Sequence, residues 1–290
     1  MTTPLVILGC GYVGSHIARA ALAAGRTVRV CRRSTGKLAA LGELGAQIKY
    51  FDASQPKQLT AALASSQGGT AIYAMSRVGG PPGHIMRAAL QAAYGGGIST
   101  FIYLSSSGLY GDSPDDDVWI DEDTPVVHGD QDMAHVISDE REIEMCSFER
   151  VRTVVLRLAP VYGPGRGVRE RLKKGDYRLL DDGQHAISRI HIDDVARVVF
   201  AAEEKAPTKS TYLVADDEPT TQLAYATWLC ERMGLPMPPS RKIFEPGAQK
   251  VVFRNRRIRN AKLKRELGIE LSYPTFRDGE AAIEAAISEA

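Results

Sequence analysis

The sequence predicts an α/β fold: a doubly wound parallel sheet with a smaller C-terminal lobe interleaved with it. Three observations lead there. In the first half, short apolar runs alternate with alanine-rich helical stretches, the rhythm of parallel strands joined by helical crossovers. A glycine-rich turn links the first such run to the first such helix. A chain of 290 residues, 44% hydrophobic and 24% charged, is ordinary globular material and close to the size limit of one core.

Residues 5–8 (LVIL) read as a buried first strand, and the stretch 12–24 as a helix stopped by Gly25. Further strands are predicted at 27–31, 47–51, 70–75 and 100–105, and one at 153–158 after a helical segment at 134–149. A Gly/Pro loop at 78–83 leads into a helix that runs through Tyr94. Beyond Ala159 the pattern loosens. Glycine and proline make 161–167 a loop. A short strand is expected at 188–192, a helix at 193–202 that Asp193 could cap, and a strand at 211–215. A helix follows at 222–233, ended by Gly234, and 260–267 and 275–288 are helical by composition. The expected division is a sheet domain over 1–158, completed by the strands at 188–192 and 211–215, and a smaller lobe over 159–290. No low-complexity linker separates them, so the lobe is expected over the carboxyl edge of the sheet, where such sheets bind ligands.

The formal net charge of +1 gives no bulk field for nucleic acid or an anionic membrane. No apolar run approaches the ~20 residues that span a bilayer. The N-terminus lacks the basic and apolar regions of a signal peptide. Cys10, Cys31, Cys146 and Cys230 form no CxxC pair, and free thiols fit a reducing compartment. The expectation is a cytoplasmic protein with a small-molecule substrate, and neither a nucleic-acid nor a membrane partner.

Gly9-Cys10-Gly11-Tyr12-Val13-Gly14 fits G-x-G-x-x-G. Placed between a strand and a helix, it is the fingerprint of a Rossmann-type dinucleotide site. Gly9 permits the tight turn, Gly11 the approach of a pyrophosphate, and Gly14 the close packing of helix on strand. The pyrophosphate then meets free N–H groups at the helix N-terminus, those of Tyr12 and Val13 included. An NAD site usually carries a carboxylate at the end of the second strand. Here Arg32 and Arg33 stand there; their guanidiniums suit a 2′-phosphate, so NADP is expected, with NAD the alternative. Asp52 reads either as an acceptor for the adenine amino group or as a turn cap. Ala74, Met75 and Ser105 complete the expected cofactor contacts.

Other motifs resemble the extended short-chain dehydrogenase/reductase superfamily, which includes sugar-nucleotide epimerases and dehydratases. They are Ser105-Ser106-Ser107-Gly108-Leu109-Tyr110-Gly111, Leu156-Arg157-Leu158-Ala159-Pro160-Val161-Tyr162-Gly163-Pro164-Gly165 and Arg189-Ile190-His191-Ile192-Asp193-Asp194-Val195-Ala196. The resemblance implies a catalytic hydroxyl at Ser106. It also implies a Tyr and a Lys four residues later on the helix after the fifth strand. The segment 124–144 contains neither residue type. Aligned on Glu140, Asp132 and Val136 take the two positions; other registers give Gln131 with His135, or His135 with Asp139. Leu8 also occupies the first position of the family's usual G-x-x-G-x-x-G, so the chain resembles atypical members.

A proton donor must then come from elsewhere. His135 lies on the right helix and titrates near neutrality; Tyr110 lies close to Ser106 in the chain. His84 reads as pocket mouth or helix start. Arg166 and the run 254–259 suggest an anionic substrate or a solvated loop. His191, Asp193 and Asp194 lack a fourth partner, so no metal is assigned. Met86, Ala89, Leu90 and Ala93 form an apolar stripe that would permit a homodimer or belong to the core. Three functions follow: an NADP-dependent oxidoreductase acting on a small polar carbonyl or alcohol, a non-catalytic NADP sensor, and a sugar-nucleotide epimerase or dehydratase.

Overall fold

A computed structural model describes residues 3–75, 79–111, 118–127, 133–242 and 255–289. The chain opens β1 (Leu5–Leu8), α1 (Tyr12–Ala23), β2 (Val28–Arg32), α2 (Ala39–Glu43) and β3 (Gln47–Tyr50). It continues α3 (Pro56–Leu63), β4 (Thr70–Tyr73), α4 (His84–Gly95), β5 (Thr100–Ser106) and β6 (Trp119–Ile120). Next come α5 (Ala134–Glu144), β7 (Arg152–Leu158), β8 (Val161–Tyr162), α6 (Val168–Lys173), β9 (Leu179–Leu180) and β10 (Ala186–Ile187). Then β11 (Ile190–His191), α7 (Ile192–Lys205), β12 (Ser210–Val214), β13 (Thr220–Thr221) and α8 (Gln222–Met233) lead into the last stretch. That holds β14 (Ser240–Arg241), β15 (Arg257–Ile258), α9 (Ala261–Leu267) and α10 (Phe276–Ser288).

The main sheet has the order β12-β7-β5-β4-β1-β2-β3 and is parallel throughout. Strand order reverses between β1 and β4, so the turn after β1 sits at a topological switch point. Every residue of β1 and β4 is buried, as central parallel strands covered on both faces require. One face packs Leu5, Ile7 and Val30 against Ile17 and Ala21 of α1 and Val195 and Val199 of α7. The other packs Val6, Leu8 and Phe101 against Leu59 of α3 and Met86 and Leu90 of α4. The apolar stripe of α4 is therefore core: Met86, Ala89 and Ala93 are wholly buried. Among the described residues, no helix is long and apolar enough to cross a membrane.

Three local expectations change. The strand near 190 does not join the main sheet; Ile190 and His191 pair with Val161 and Tyr162, so the predicted loop at 161–167 begins as a strand. Helix α7 starts at Ile192, one residue before Asp193, because His191 Nδ1 accepts the Asp193 N–H at 3.3 Å. Burial lowers the His191 pKa to about 4, which keeps the ring neutral and able to accept. Asp194, wholly buried, instead takes the N–H groups of Ser272 and Tyr273 at 2.7 and 2.9 Å and ties the C-terminal segment down. Helix α5 ends at Glu144 rather than 149; Phe148 turns back to stack on Tyr94, with centroids 4.7 Å apart.

Between α4 and α5 lies a buried acid. Desolvation raises the Asp139 carboxyl to about 7, against a hydrogen bond from Tyr103 and the field of His84, which lower it, while Glu142 raises it. A carboxyl raised in the folded state binds its proton more tightly than in the unfolded chain. Its favourable effect is full below the unfolded value, about 4, and is lost as pH rises toward 7. Asp139→Asn keeps an acceptor for Tyr103 and removes the titration. It is expected to melt above wild type at pH 8, by roughly 2–4 °C per kcal/mol recovered, the two curves converging as pH falls to about 4. Parallel melting temperatures across that range would overturn this.

Candidate functional site

The turn between β1 and α1 is built so that backbone, not side chains, faces outward. Gly9 has φ +90°, and a Cβ there would stand 2.9 Å from the carbonyl carbon and oxygen of Ala74 and 2.5 Å from Met75 Cγ. Ala74 and Met75, expected as cofactor contacts, thus form the wall on which the turn closes. A Cβ on Gly14 would stand 3.0 Å from Ile7 Cγ2 and 3.2 Å from the Gly9 carbonyl oxygen, so the helix packs close on the strand there. A Cβ on Gly11 would meet nothing within 4 Å: the open side of the turn is there. The first bond inside α1 runs from the Ser15 N–H to the Gly11 carbonyl at 2.9 Å. The N–H groups of Tyr12, Val13 and Gly14 precede it, and the first turn holds no acid. Open space, outward N–H groups and a positive helix end are what a dinucleotide pyrophosphate needs, so these residues fit the expected cofactor.

At the end of β2, Arg32 Nη1 donates to the Cys10 carbonyl at 3.1 Å, which lays its guanidinium along the glycine turn. Arg33 is exposed. Asp52 takes the turn-cap role: its Oδ1 accepts from the N–H and hydroxyl of Ser54 at 3.0 and 2.8 Å. Those bonds, with Arg33 nearby, lower its pKa.

The end of β5 separates the two serines. Ser106 Oγ accepts the Gly108 N–H at 3.0 Å, leaving its own proton to donate outward. Ser105 is buried and donates to Glu140 Oε1 at 2.5 Å, which ties the end of the strand to α5. Tyr110 is drawn inward as well. It is 5% exposed, and its hydroxyl accepts from Arg157 Nη1, which also lies over its ring. Arg157 in turn donates to Glu140 from Nη2 at 2.7 Å. Burial raises the Tyr110 pKa, against the neighbouring Arg157, which lowers it. His135 sits in the first turn of α5, partly buried. Two residues before it, the sulfur of Met133 would stand 2.8 Å from a Cβ on Gly108, so this turn closes over the Ser106 region. Val136 is buried in the core, whereas Gln131 and Asp132 lie outside the described residues. His84 opens α4, its Nδ1 bonded to the Pro81 carbonyl.

Sequence reasoning missed a large basic cavity. About 800 Å³ opens in the smaller lobe, bordered by Arg166, Arg171, Lys174, Arg178, Arg189 and Arg241 against the acids Glu170 and Asp176. Tyr162 and Tyr225 form part of its floor; the buried Tyr162 hydroxyl and Arg241 Nε have no hydrogen-bond partner among the described residues. Arg189 lies 4.2 Å over the Tyr225 ring. Of the basic run at 254–259, Arg254 lies outside the described residues, Arg256 is buried and donates to the Gly111 carbonyl, and Arg259 stacks on Trp119. The cavity's cations come from 166–189 and 241 instead. Clustered Lys/Arg would have been the signal, but here they are scattered between glycines and acids.

Several solved structures share this architecture over nearly the whole chain. A conserved protein of unknown function from Silicibacter pomeroyi is 29% identical with a TM-score of 0.82, covering 98% of this chain and 99% of that one. The UDP-glucose 4-epimerase of Thermotoga maritima, solved with UDP-glucose, is 20% identical with a TM-score of 0.82, covering 99% and 98%. The UDP-glucuronic acid 4-epimerase of Bacillus cereus, solved with NAD, is 18% identical with a TM-score of 0.80, covering 99% and 98%. A search of the curated proteins finds no match. The family model of the NAD dependent epimerase/dehydratase family matches residues 5–215, from the first strand through the last strand of the main sheet. With the glycine turn at the switch point and Ser106 at the end of β5, the chain belongs to that family.

Proposed function

We propose that the chain binds NADP(H) on the glycine turn and oxidises or reduces a polar carbonyl or alcohol compound, anionic in character, seated toward the basic cavity. The observation that carries the cofactor choice is the end of β2, where Arg33 is exposed and Arg32 lies along the turn. Two guanidiniums favour a 2′-phosphate by charge and bidentate geometry. When bound, the nicotinamide supplies or accepts a hydride. The chain's own part is to hold the pyrophosphate on the N–H groups of α1 and to orient the substrate oxygen with the Ser106 proton. His135 is the proton donor or acceptor this reading assigns.

The cavity favours a second reading. Its size and six cations suit a large anion better than a small neutral carbonyl, and the Thermotoga relative was solved with UDP-glucose. A sugar-nucleotide substrate therefore stands as the alternative, set against a segment 124–144 with neither Tyr nor Lys.

Calorimetric titration tests the cofactor first. NADP+ is expected to bind more tightly than NAD+, and Arg33→Gln to weaken NADP+ about tenfold, the scale of one charge-assisted hydrogen bond, while leaving NAD+ unchanged. Equal loss of both cofactors would remove the NADP assignment. Deuterium transfer from labelled NADPH then separates an oxidoreductase from a sensor, which binds without turnover. Inversion at C4 of a UDP-sugar would move the assignment to epimerase.

A further inference from the structure

We propose that Arg166 is a ligand of the dinucleotide pyrophosphate, supplied by the smaller lobe across the glycine turn. This rests on the reading of the α1 N-terminus as the dinucleotide site.

The segment after β8 is a closed turn. Gly163 and Arg166 exchange two main-chain hydrogen bonds of 3.0 Å each, which fixes where Arg166 leaves the backbone. That turn is clasped to the glycine loop by Tyr12, whose hydroxyl donates to the Pro164 carbonyl at 3.1 Å. The approach is so close that a Cβ on Gly163 would stand 2.8 Å from the Tyr12 hydroxyl and 2.4 Å from Ile192 Cγ2. Burial pushes the Tyr12 phenol up to about 12, so it donates as a neutral hydroxyl at any working pH.

The Arg166 guanidinium lies 5.0 Å from the centroid of the Tyr12 ring. Stacking engages the face of the guanidinium and leaves its in-plane donors available. No acceptor for them is found among the described residues. Its neighbours around the cavity differ: Arg171 pairs with Asp176, and Arg178 and Arg189 donate to backbone carbonyls. Tyr12 is also the first residue of α1, whose N–H groups ahead of the first helical bond carry positive potential. A cation held on the aromatic residue of the loop, with donors to spare, is placed for the second side of a phosphate pair. Asp193 is the nearby opposing charge, its field reaching Tyr12, and Arg166 offsets it.

The test uses fragments of the cofactor on the intact protein. Arg166→Gln is expected to weaken NADP+ and ADP-ribose about tenfold by calorimetry, the scale of one charge-assisted hydrogen bond. Adenosine 2′-monophosphate, which lacks the pyrophosphate, is expected to bind as to wild type. Arg33→Gln should give the reverse pattern, weakening the 2′-monophosphate and leaving ADP-ribose unchanged. Arg166→Lys should recover part of the affinity, and the loss in Arg166→Gln should shrink as salt rises, because charge and not shape is missing. If NADP+ and ADP-ribose bind Arg166→Gln as they bind wild type, the proposal fails. Equal weakening of all three ligands, with a lowered melting temperature, also overturns it, since Arg166 would then only brace the turn. Absence of binding to wild type would instead remove the dinucleotide reading on which it stands.

Discussion

Gly9→Ala is expected to cost both stability and cofactor, and more of each than a glycine replacement elsewhere on the surface. Two penalties coincide at this position. The residue sits at φ +90°, where a Cβ costs roughly 1–2 kcal/mol by itself. The new methyl would also stand 2.9 Å from the Ala74 carbonyl group. Met75 can swing its side chain away, but Ala74 follows β4 in the middle of the sheet, and its N–H is bonded to the Leu8 carbonyl at 2.8 Å. The turn must therefore lift off the sheet edge, and the N–H groups of Tyr12, Val13 and Gly14 move with it. Binding of NADP+ should weaken on the order of 100-fold, as when about 3 kcal/mol of oriented contacts is lost. Gly25→Ala is the control. It shares a positive φ of +73° but meets nothing within 4 Å, so it should lower the melting temperature slightly and leave the affinity alone. Wild-type affinity in Gly9→Ala would show that this turn does not hold the dinucleotide.

The glycine turn behind that prediction is legible in the sequence because it is local, whereas its closure on Ala74, far along the chain, is not. Strand, turn and helix lie within residues 5–23, and each glycine's task follows from spacing alone. Asp52 was nearly as accessible, since Ser54 two residues on is the partner that makes a turn cap. Distance along the chain explains what sequence did not disclose. Ser105 and Ser106 look alike in their motif, but adjacent strand residues face opposite ways, and only Ser105 finds Glu140, 35 residues away. Tyr110 is claimed by Arg157, 47 residues away. The start of α7 misled for another reason. Asp193 is a favoured cap type, but burial keeps His191 neutral and lets its ring nitrogen take that N–H. The cavity was least legible, because its wall joins α6, α8 and four short strands (β8, β9, β10 and β14) that sequence periodicity does not mark.

The lobe that carries the cavity should depend on one buried ion pair. Arg169 and Glu280 have side chains only 6% and 1% exposed, with Nε and Oε2 2.6 Å apart. The second carboxylate oxygen accepts from the Tyr225 hydroxyl, and Arg169 Nη2 reaches the Glu280 carbonyl at 3.3 Å. Glu280→Ala would leave the Arg169 Nε and the Tyr225 hydroxyl buried without the carboxylate that takes both, Arg169 keeping the main-chain carbonyl and a longer pair with Glu284, at a cost of about 3–5 kcal/mol. Urea denaturation followed by the fluorescence of Trp228, which packs on Phe276 in the same cluster, should show that loss. Trp119→Phe in the background removes the signal of the other tryptophan. The cavity should suffer as well, because Tyr225 is the ring beneath Arg189, and loosening it frees a cation that now faces the pocket in a fixed pose. The double variant Arg169→Met with Glu280→Leu separates charge from shape. Apolar replacements of similar size often match a buried ion pair in stability, so it should recover most of the loss. If the double variant is as unstable as Glu280→Ala, packing volume rather than the guanidinium left without its carboxylate is what the lobe cannot lose.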